Sequence, residues 1–515
     1  MKPLSLRGRG RTRGIGRLVA AGLLLFIGSR AALGQTVYTR QDVSRLTSTQ
    51  IATLRRGIAT MMSRPSSDPT SWWYQTNIHG TSTAAPSPLN TCQHGSYYFL
   101  AWHRMYLYYF ERILRRASGD PNFALPYWNY GDPNQRAIPL PYRQPADPTT
   151  NPLYVSARQM NDGSLLPDSA VSVATAFAAT NFSSPPGSGQ SFGGQRLSQP
   201  SHDASPPGLL ERNPHNTIHV LVGGSDGWMA SVVTAARDPV FWLHHANIDR
   251  LWKRWLDLGG GRSNPPPSDT AWRQTQFTFY NEYGQRVVLT GAQILDTVSQ
   301  LGYRYDDDPA ALALATPEPP AGSASAPSDL LVPEPPPRLP ETAAMHDRRV
   351  DLDVRQPVRV VVPFARDAST RIEQALTSGT PAARGALDAG VRRLLLNLEH
   401  IEYDRPPGVY WEIYINLPEH ERNPDPQGPH FVGTLALFAM AHAGGSGHAL
   451  QDIDITDALR KLTQRRPRKL DSMSVTFVPR GPLPPPDAPG RPTPPAKTPP
   501  SLPHVSIGLL SITLE

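Results

Sequence analysis

Cysteine is almost missing: Cys92 is the only one in 515 residues. That excludes an internal disulfide and leaves the residue as a buried apolar filler, a free thiol or a chemically used group. Acidic residues are missing from residues 1–34, which hold seven of the 50 Lys and Arg and none of the 43 Asp and Glu. The remainder is balanced, so the basic pI belongs to the N-terminus and gives no support to nucleic-acid binding. Apolar runs of membrane length are missing too. The stretch LVAAGLLLFIG is too short to span a bilayer. Preceded by arginines and followed by Ala32 and Gly34 at A-x-G spacing, it reads as an export signal over residues 1–34. The expectation is an exported protein, periplasmic or secreted, with no membrane contact once the signal is removed.

Proline is plentiful, with 56 residues, and its placement divides the chain. Residues 35–310 mix aromatic-rich helical stretches with Pro/Gly/Asn loops. Residues 311–343 are dominated by Pro, Ala and Ser, as expected of an extended, protease-accessible linker. Residues 344–515 carry short alternating runs, among them YWEIYI, HFVGTLALF, SMSVTFVPR and VSIGLLSITL, which read as the strands of an antiparallel sandwich. The segment ALRKLTQRR reads as one helical insert among them.

Histidines cluster in three places within the first region. WWYQTNIHG contributes His79, and TCQHGSYYFLAWHRMYLYYFE contributes His94 and His103, the latter on a long, mostly buried helix. In ERNPHNTIHVLVGG, Asn213 and Pro214 predict a helix that begins at His215, with His215 and His219 four apart on one face. In RDPVFWLHHANIDRLWKRW, Asp238 and Pro239 open a helix bearing His244 and His245. Asp249, four residues after His245, is placed to orient a ligand imidazole. Uncharged imidazoles gathered in a helical interior need an electrophile to justify their desolvation. All-imidazole sites suit copper or zinc, and no thiolate pair or acid triad accompanies them.

HGSYYFLAWHRMYLYYFE and DPVFWLHHANIDRLW resemble the two copper signatures of tyrosinases, catechol oxidases and molluscan haemocyanins, the type-3 copper proteins. The resemblance implies a mainly α copper-binding domain, a four-helix bundle around a binuclear copper site, followed by a C-terminal all-β sandwich that shields it. It assigns His79, His94 and His103 to one copper and His215, His219 and His245 to the other, with O2 as co-substrate. Spacing alone does not separate His245 from His244. The same resemblance implies hydroxylation of monophenols and oxidation of o-diphenols to o-quinones in a latent proenzyme activated by a protease. The alternatives are a catechol oxidase without the first activity and an oxygen carrier of the haemocyanin kind.

Fungal relatives share the C-x-H arrangement of Cys92 and His94, in which sulfur is joined to the imidazole by a thioether bond. Some relatives hold a water with a Glu and an Asn at the places of Glu211 and Asn216, which implies a base for the phenol proton. Where plant enzymes usually carry a gating Phe, this chain has Val232. With Val220, it implies an apolar pocket open to bulkier phenols, including tyrosine in peptides. A side chain of the shielding domain occupies the substrate position in relatives, and the matching segment offers Leu437 or Phe438. In MAHAGGSGHAL, Met440, His442 and His448 read as an exposed polar loop rather than a copper-delivery site.

Overall fold

A computed structural model describes residues 36–83, 85–308, 341–365, 368, 369, 372, 376, 393–439, 449–465, 471–485 and 502–515. The export segment lies outside the described residues, as do the linker through Pro340 and the stretch carrying Met440, His442 and His448.

Five of the first region's helices position the site. Helix α1 (Ser48–Met62) starts where Thr47 and Gln50 exchange side-chain and backbone hydrogen bonds in a capping box. Helix α2 (Trp72–His79) starts at Ser71, whose hydroxyl accepts the Tyr74 N–H. Helix α3 (Tyr98–Ser118) is buried along most of its length and stops at Gly119, in the left-handed region at φ 72°. Gly57 lets α1 sit directly on α3, since a Cβ there would meet Leu114 Cδ1 at 2.8 Å. Helix α4 (Thr217–Gly223) follows an irregular turn, and α5 (Pro239–Asp257) is capped by Asp238, whose carboxylate accepts the Val240 N–H. The helix predicted from His215 starts two residues later. The backbone at Asn213 is extended (φ −149°, ψ 127°) and the Glu211–Asn216 turn winds more widely than an α-helix, so regular helix begins at Thr217.

Four short strands complete this region. Strand β1 (Tyr38–Arg40) lies parallel to β4 (Tyr303–Tyr305), while β2 (Gln276–Tyr280) and β3 (Arg286–Thr290) form a hairpin. The β1–β4 pair brings both ends of the region together beneath α3 and α5. A buried charged knot forms there. Arg40 Nε donates to Glu111 Oε2 at 2.7 Å, and Arg104 Nε to Asp249 Oδ1 at 2.5 Å.

The second region is a sandwich. One sheet has the order β10 (Phe431–Leu435), β9 (Tyr410–Ile415), β12 (Ser472–Arg480) and β7 (Val358–Pro363). The other runs β11 (Gln451–Asp454), β8 (Leu394–Tyr403), β13 (Val505–Leu514) and β5 (Glu341–His346), with β6 (Val350–Leu352) also on β13. Every pairing within these sheets is antiparallel. Strand β5 begins at Glu341, so residues 341–343, assigned by composition to the linker, are sandwich strand: Thr342 pairs with Thr513 and Ala343 is buried. The helical insert is α6 (Thr456–Arg465).

All six residues of β9 are buried. Trp411, Ile413 and Ile415 enter the sandwich core, while Tyr410 joins the core of the helical region. Glu412 Oε1 accepts from Ser169 Oγ at 2.6 Å, a hydrogen bond from the helical region to the sandwich. A strand covered on both faces loses the polar alternation of a solvent-facing one. The regions meet again where Leu165 and Leu483 exchange backbone hydrogen bonds of 2.8 Å. Among the described residues, no helix is long and apolar enough to cross a membrane.

Candidate metal centre

Six histidines from α2, the loop before α3, α3, the turn before α4, α4 and α5 converge in two triangles. His79, His94 and His103 have ring centroids 5.5, 5.6 and 5.4 Å apart. His215, His219 and His245 lie 4.6, 4.9 and 5.5 Å apart. The triangles touch: His103 stacks on His245 at 4.4 Å and His94 lies 6.0 Å from His215. All six rings are at most 2 % exposed.

Backbone and amide acceptors set the tautomers. His79 Nδ1 donates to Val232 O at 2.9 Å, His103 Nδ1 to Phe99 O at 2.8 Å and His219 Nδ1 to Met229 O at 2.9 Å. His215 Nδ1 donates to Asn216 Oδ1 at 2.8 Å. A proton fixed on Nδ1 leaves a lone pair on Nε2. The Nε2 atoms of His94, His103 and His215 are buried with no hydrogen-bond partner among the described residues. His219 Nε2 and His245 Nε2 stand only 3.3 Å apart. Burial first, then neighbouring imidazoles, push the pKa of His94, His103, His219 and His245 well below the usual range, and burial takes His215 to about 3. Neutral rings aiming lone pairs into a dry interior are what a borderline cation requires. The donor set fits copper.

His244 belongs to the same cluster. Nitrogens of His215, His219, His244 and His245 lie within 4.8 Å of one another. His244 stacks on His215 at 5.3 Å and faces Tyr130 on its other side at 5.7 Å. Both of its nitrogens lack hydrogen-bond partners among the described residues.

Cys92 is fully buried, with Sγ 3.4 Å from His94 Nδ1. Glu211 is 1 % exposed, and both its oxygens accept the Gly95 N–H, at 2.9 and 3.0 Å. Burial pushes its carboxyl up to about 8. Gly95 is required here: its φ is +67°, and a Cβ would strike Ala204 O at 1.6 Å. The Asn216 oxygen is engaged by His215, so part of its capacity is spent orienting that ring. Val220 and Val232 are both buried, and the Val232 carbonyl anchors His79.

Phe438 lies over this centre. Its ring is parallel to His219 at 3.7 Å and 8°, and edge-on to His215 at 5.5 Å and His94 at 6.0 Å. Leu437 turns the other way, into the sandwich core.

Asp249 corrects one expectation, because it orients no histidine. Its oxygens accept from Arg104 Nε at 2.5 Å, Arg40 Nη1 at 3.3 Å and the hydroxyls of Tyr303 and Tyr305 at 2.6 Å each. Two guanidiniums outcompete an imidazole for a carboxylate, and His245 Nδ1 has no hydrogen-bond partner among the described residues.

Three neighbours of the centre were not singled out from the sequence, two of them inside the quoted signatures. Phe99 packs 4.7 Å from His103 and Phe241 4.1 Å from His245. Each precedes its histidine by four residues, a legible helical spacing. His202, with Nδ1 3.2 Å from Cys92 Sγ, comes from a loop 110 residues away and has no local signal.

Comparison with known proteins agrees with this geometry. The family described as the common central domain of tyrosinase matches residues 69–204 and 179–258. The polyphenol oxidase middle domain matches residues 267–318, and a domain of unknown function (DUF7868) matches 341–488. Tyrosinase HcTyr1 of Hahella sp. (strain CCB-MM4) is 32 % identical over 484 residues, covering 86 % of this chain and 95 % of that one. The chloroplastic polyphenol oxidase of Spinacia oleracea is 32 % identical over 285 residues, covering 49 % and 44 %. The solved structure of latent apple tyrosinase superposes with a TM-score of 0.61 at 22 % identity, over 93 % of this chain and 98 % of that one.

Proposed function

The chain belongs to the tyrosinase and polyphenol oxidase family of binuclear copper oxidases, and from that premise we propose that it is a latent tyrosinase. The reading rests chiefly on one observation: Phe438 of the sandwich stacks on His219, inside the histidine cluster. In this reading His79, His94 and His103 hold one copper and His215, His219 and His245 the other. His244 stays outside the set and packs against His215. The copper pair supplies the redox chemistry with O2. The protein supplies neutral nitrogens of fixed tautomer and an apolar wall of Phe99, Phe241, Val220 and Val232.

Monophenols have a pKa near 10, like tyrosine, so the substrate must lose a proton to become a ligand. Glu211, buried beside Gly95, is the group we assign to receive it through an intervening water held with Asn216. That assignment favours monophenol hydroxylation over catechol oxidation alone. Phe438 fills the place of the phenol ring until cleavage in the linker from residue 311 frees the sandwich. The substrates are small phenols and, with Val232 at the mouth, tyrosine in peptides. The chain reaches them after export.

The test is copper content, with turnover of tyrosine and a simple catechol, before and after limited proteolysis of the linker. Two coppers per chain and turnover of both substrates that rises on cleavage are expected. Fewer than two coppers under replete conditions, or reversible O2 binding without quinone after cleavage, would overturn the reading.

A further inference from the structure

The turn that carries Glu211 and His215 also carries Arg212, and its partner comes from the sandwich. Arg212 Nη2 donates to Asp452 Oδ1 at 2.9 Å, and Nη1 donates to the Asp452 carbonyl. The remaining contact, Nη2 to Pro207 O at 3.3 Å, is the one within the helical region. Arg212 and Asp452 side chains are 8 % and 3 % exposed.

The helical region offers the Asp452 carboxylate more than a guanidinium. The Gly189 N–H lies 3.2 and 3.0 Å from its two oxygens, and Ser188 Oγ donates to Oδ2 at 3.3 Å. A cation, a backbone N–H and a hydroxyl thus converge on one anion, the donor set of a carboxylate receptor. Gly189 is shaped for it: a Cβ would meet Pro207 O at 2.3 Å, Arg212 Nη2 at 2.6 Å and Asp452 Oδ1 at 2.9 Å. All three donors stay behind when the sandwich leaves.

The receptor adjoins the copper centre along the chain. Arg212 and His215 are three residues apart, at most about 11 Å of backbone. The strands carrying the two occupants are linked as well, since Gln451 on β11 donates to the Thr434 carbonyl on β10, which leads to Phe438. The sandwich therefore presents an aromatic ring to His219 and a carboxylate to Arg212 at once.

We propose that Ser188, Gly189 and Arg212 form a carboxylate subsite of the opened enzyme, which binds phenols bearing an acid side chain and which Asp452 fills in the latent chain. The inference rests on the latency reading above. It makes phenolic acids the favoured substrate class, with the ring at the place of Phe438.

The experiment uses the full chain, copper-loaded and cleaved in the linker. It compares kcat/KM for a series of 3,4-dihydroxyphenyl alkanoic acids of increasing chain length with their methyl esters. At the length that spans both places the acid should lead its ester by about tenfold, the effect of one charge-assisted hydrogen bond. That ratio should fall to about one in Arg212→Gln and shrink in Ser188→Ala. Ser188→Ala decides the matter if Arg212→Gln does not fold. Catechol turnover that rises on cleavage, with acid-to-ester ratios alike in wild type and variants at every length, would overturn the subsite and leave latency standing. Catechol turnover unchanged by cleavage would overturn both.

Discussion

Replacing Phe438 by Ala tests the closure directly. The ring is 1 % exposed and rests on three histidine rings of the helical region. Truncating a buried Phe to Ala costs about 3–5 kcal/mol. Because the ring packs against the catalytic side, the cost falls on closure rather than on the sandwich core. At about 1.4 kcal/mol per factor of ten, the closed arrangement loses roughly 10² to 4 × 10³ of its advantage over the open one. The closed form also acquires a space the size of a small phenol. The assay is the initial rate of catechol oxidation at equal copper content, before and after linker cleavage. Wild type should show a large increase on cleavage. Phe438→Ala should already be active uncleaved and gain little. Leu437→Ala, by contrast, should weaken the sandwich by about 2–5 kcal/mol and appear as earlier melting of that region. An uncleaved Phe438→Ala protein with full copper that remains as silent as wild type would refute the assignment of the ring.

Glu211→Gln should lower the ratio of monophenol to diphenol turnover. A base works only when deprotonated, so monophenol turnover in the wild type rises with pH through the Glu211 pKa. That pKa is about 8 without metal and lower once two cations sit nearby, and an unchanged ratio in the variant would dismiss the base. Val232→Phe should depress turnover of bulky phenols while sparing catechol, and equal relative rates would remove the gate. In copper-loaded protein, a peptide spanning Cys92 and His94 should lack a pair of hydrogens and resist thiol reagents, and an alkylatable thiol would exclude the thioether. Asp249→Asn should cost about 3–5 kcal/mol by removing the carboxylate partner of buried Arg104, read as a lower Tm. Burial alone would raise the Asp249 pKa, but Arg104, Arg40 and two tyrosine hydroxyls outweigh it and hold it below 3.8. Its contribution is therefore complete above its unfolded pKa and lost as pH falls through the folded value. The Asn variant should lose that part of the acid sensitivity.

Local pattern carried some elements into the sequence and left others out. Ser472–Arg480 and Val505–Leu514 were legible residue for residue, because strand-forming runs bounded by turns stand out. His215 and His219 declared themselves through helical spacing even though regular helix starts only at Thr217. The partner of Asp249 was not legible. His245 is four residues away, but the winning donors come from positions 40 and 104, which only the fold brings close. Leu437 and Phe438 could not be told apart for another reason. Neighbouring residues of an extended segment face opposite sides, and both sides here are apolar: the sandwich core on one, the imidazoles on the other.

Charge placement explains why the centre is made of imidazole alone. Two carboxylates sit close enough in sequence to compete for a metal, Glu211 four residues before His215 and Asp249 four after His245. Each is drawn elsewhere, Glu211 onto the Gly95 N–H and Asp249 onto Arg40 and Arg104. Among the described residues, neither carboxylate hydrogen-bonds a histidine of the two triangles. Their lowered pKa values keep the lone pairs open at neutral pH, and the close approach of His219 and His245 leaves a repulsion that a shared cation relieves. An uncharged, all-nitrogen cage stabilises a singly charged ion relative to a doubly charged one better than a carboxylate-bearing cage does. Such a cage would favour a cuprous ion held by these nitrogens. The charged knot beneath α3 and α5 thus holds the Asp249 carboxylate away from the His245 ring four residues before it.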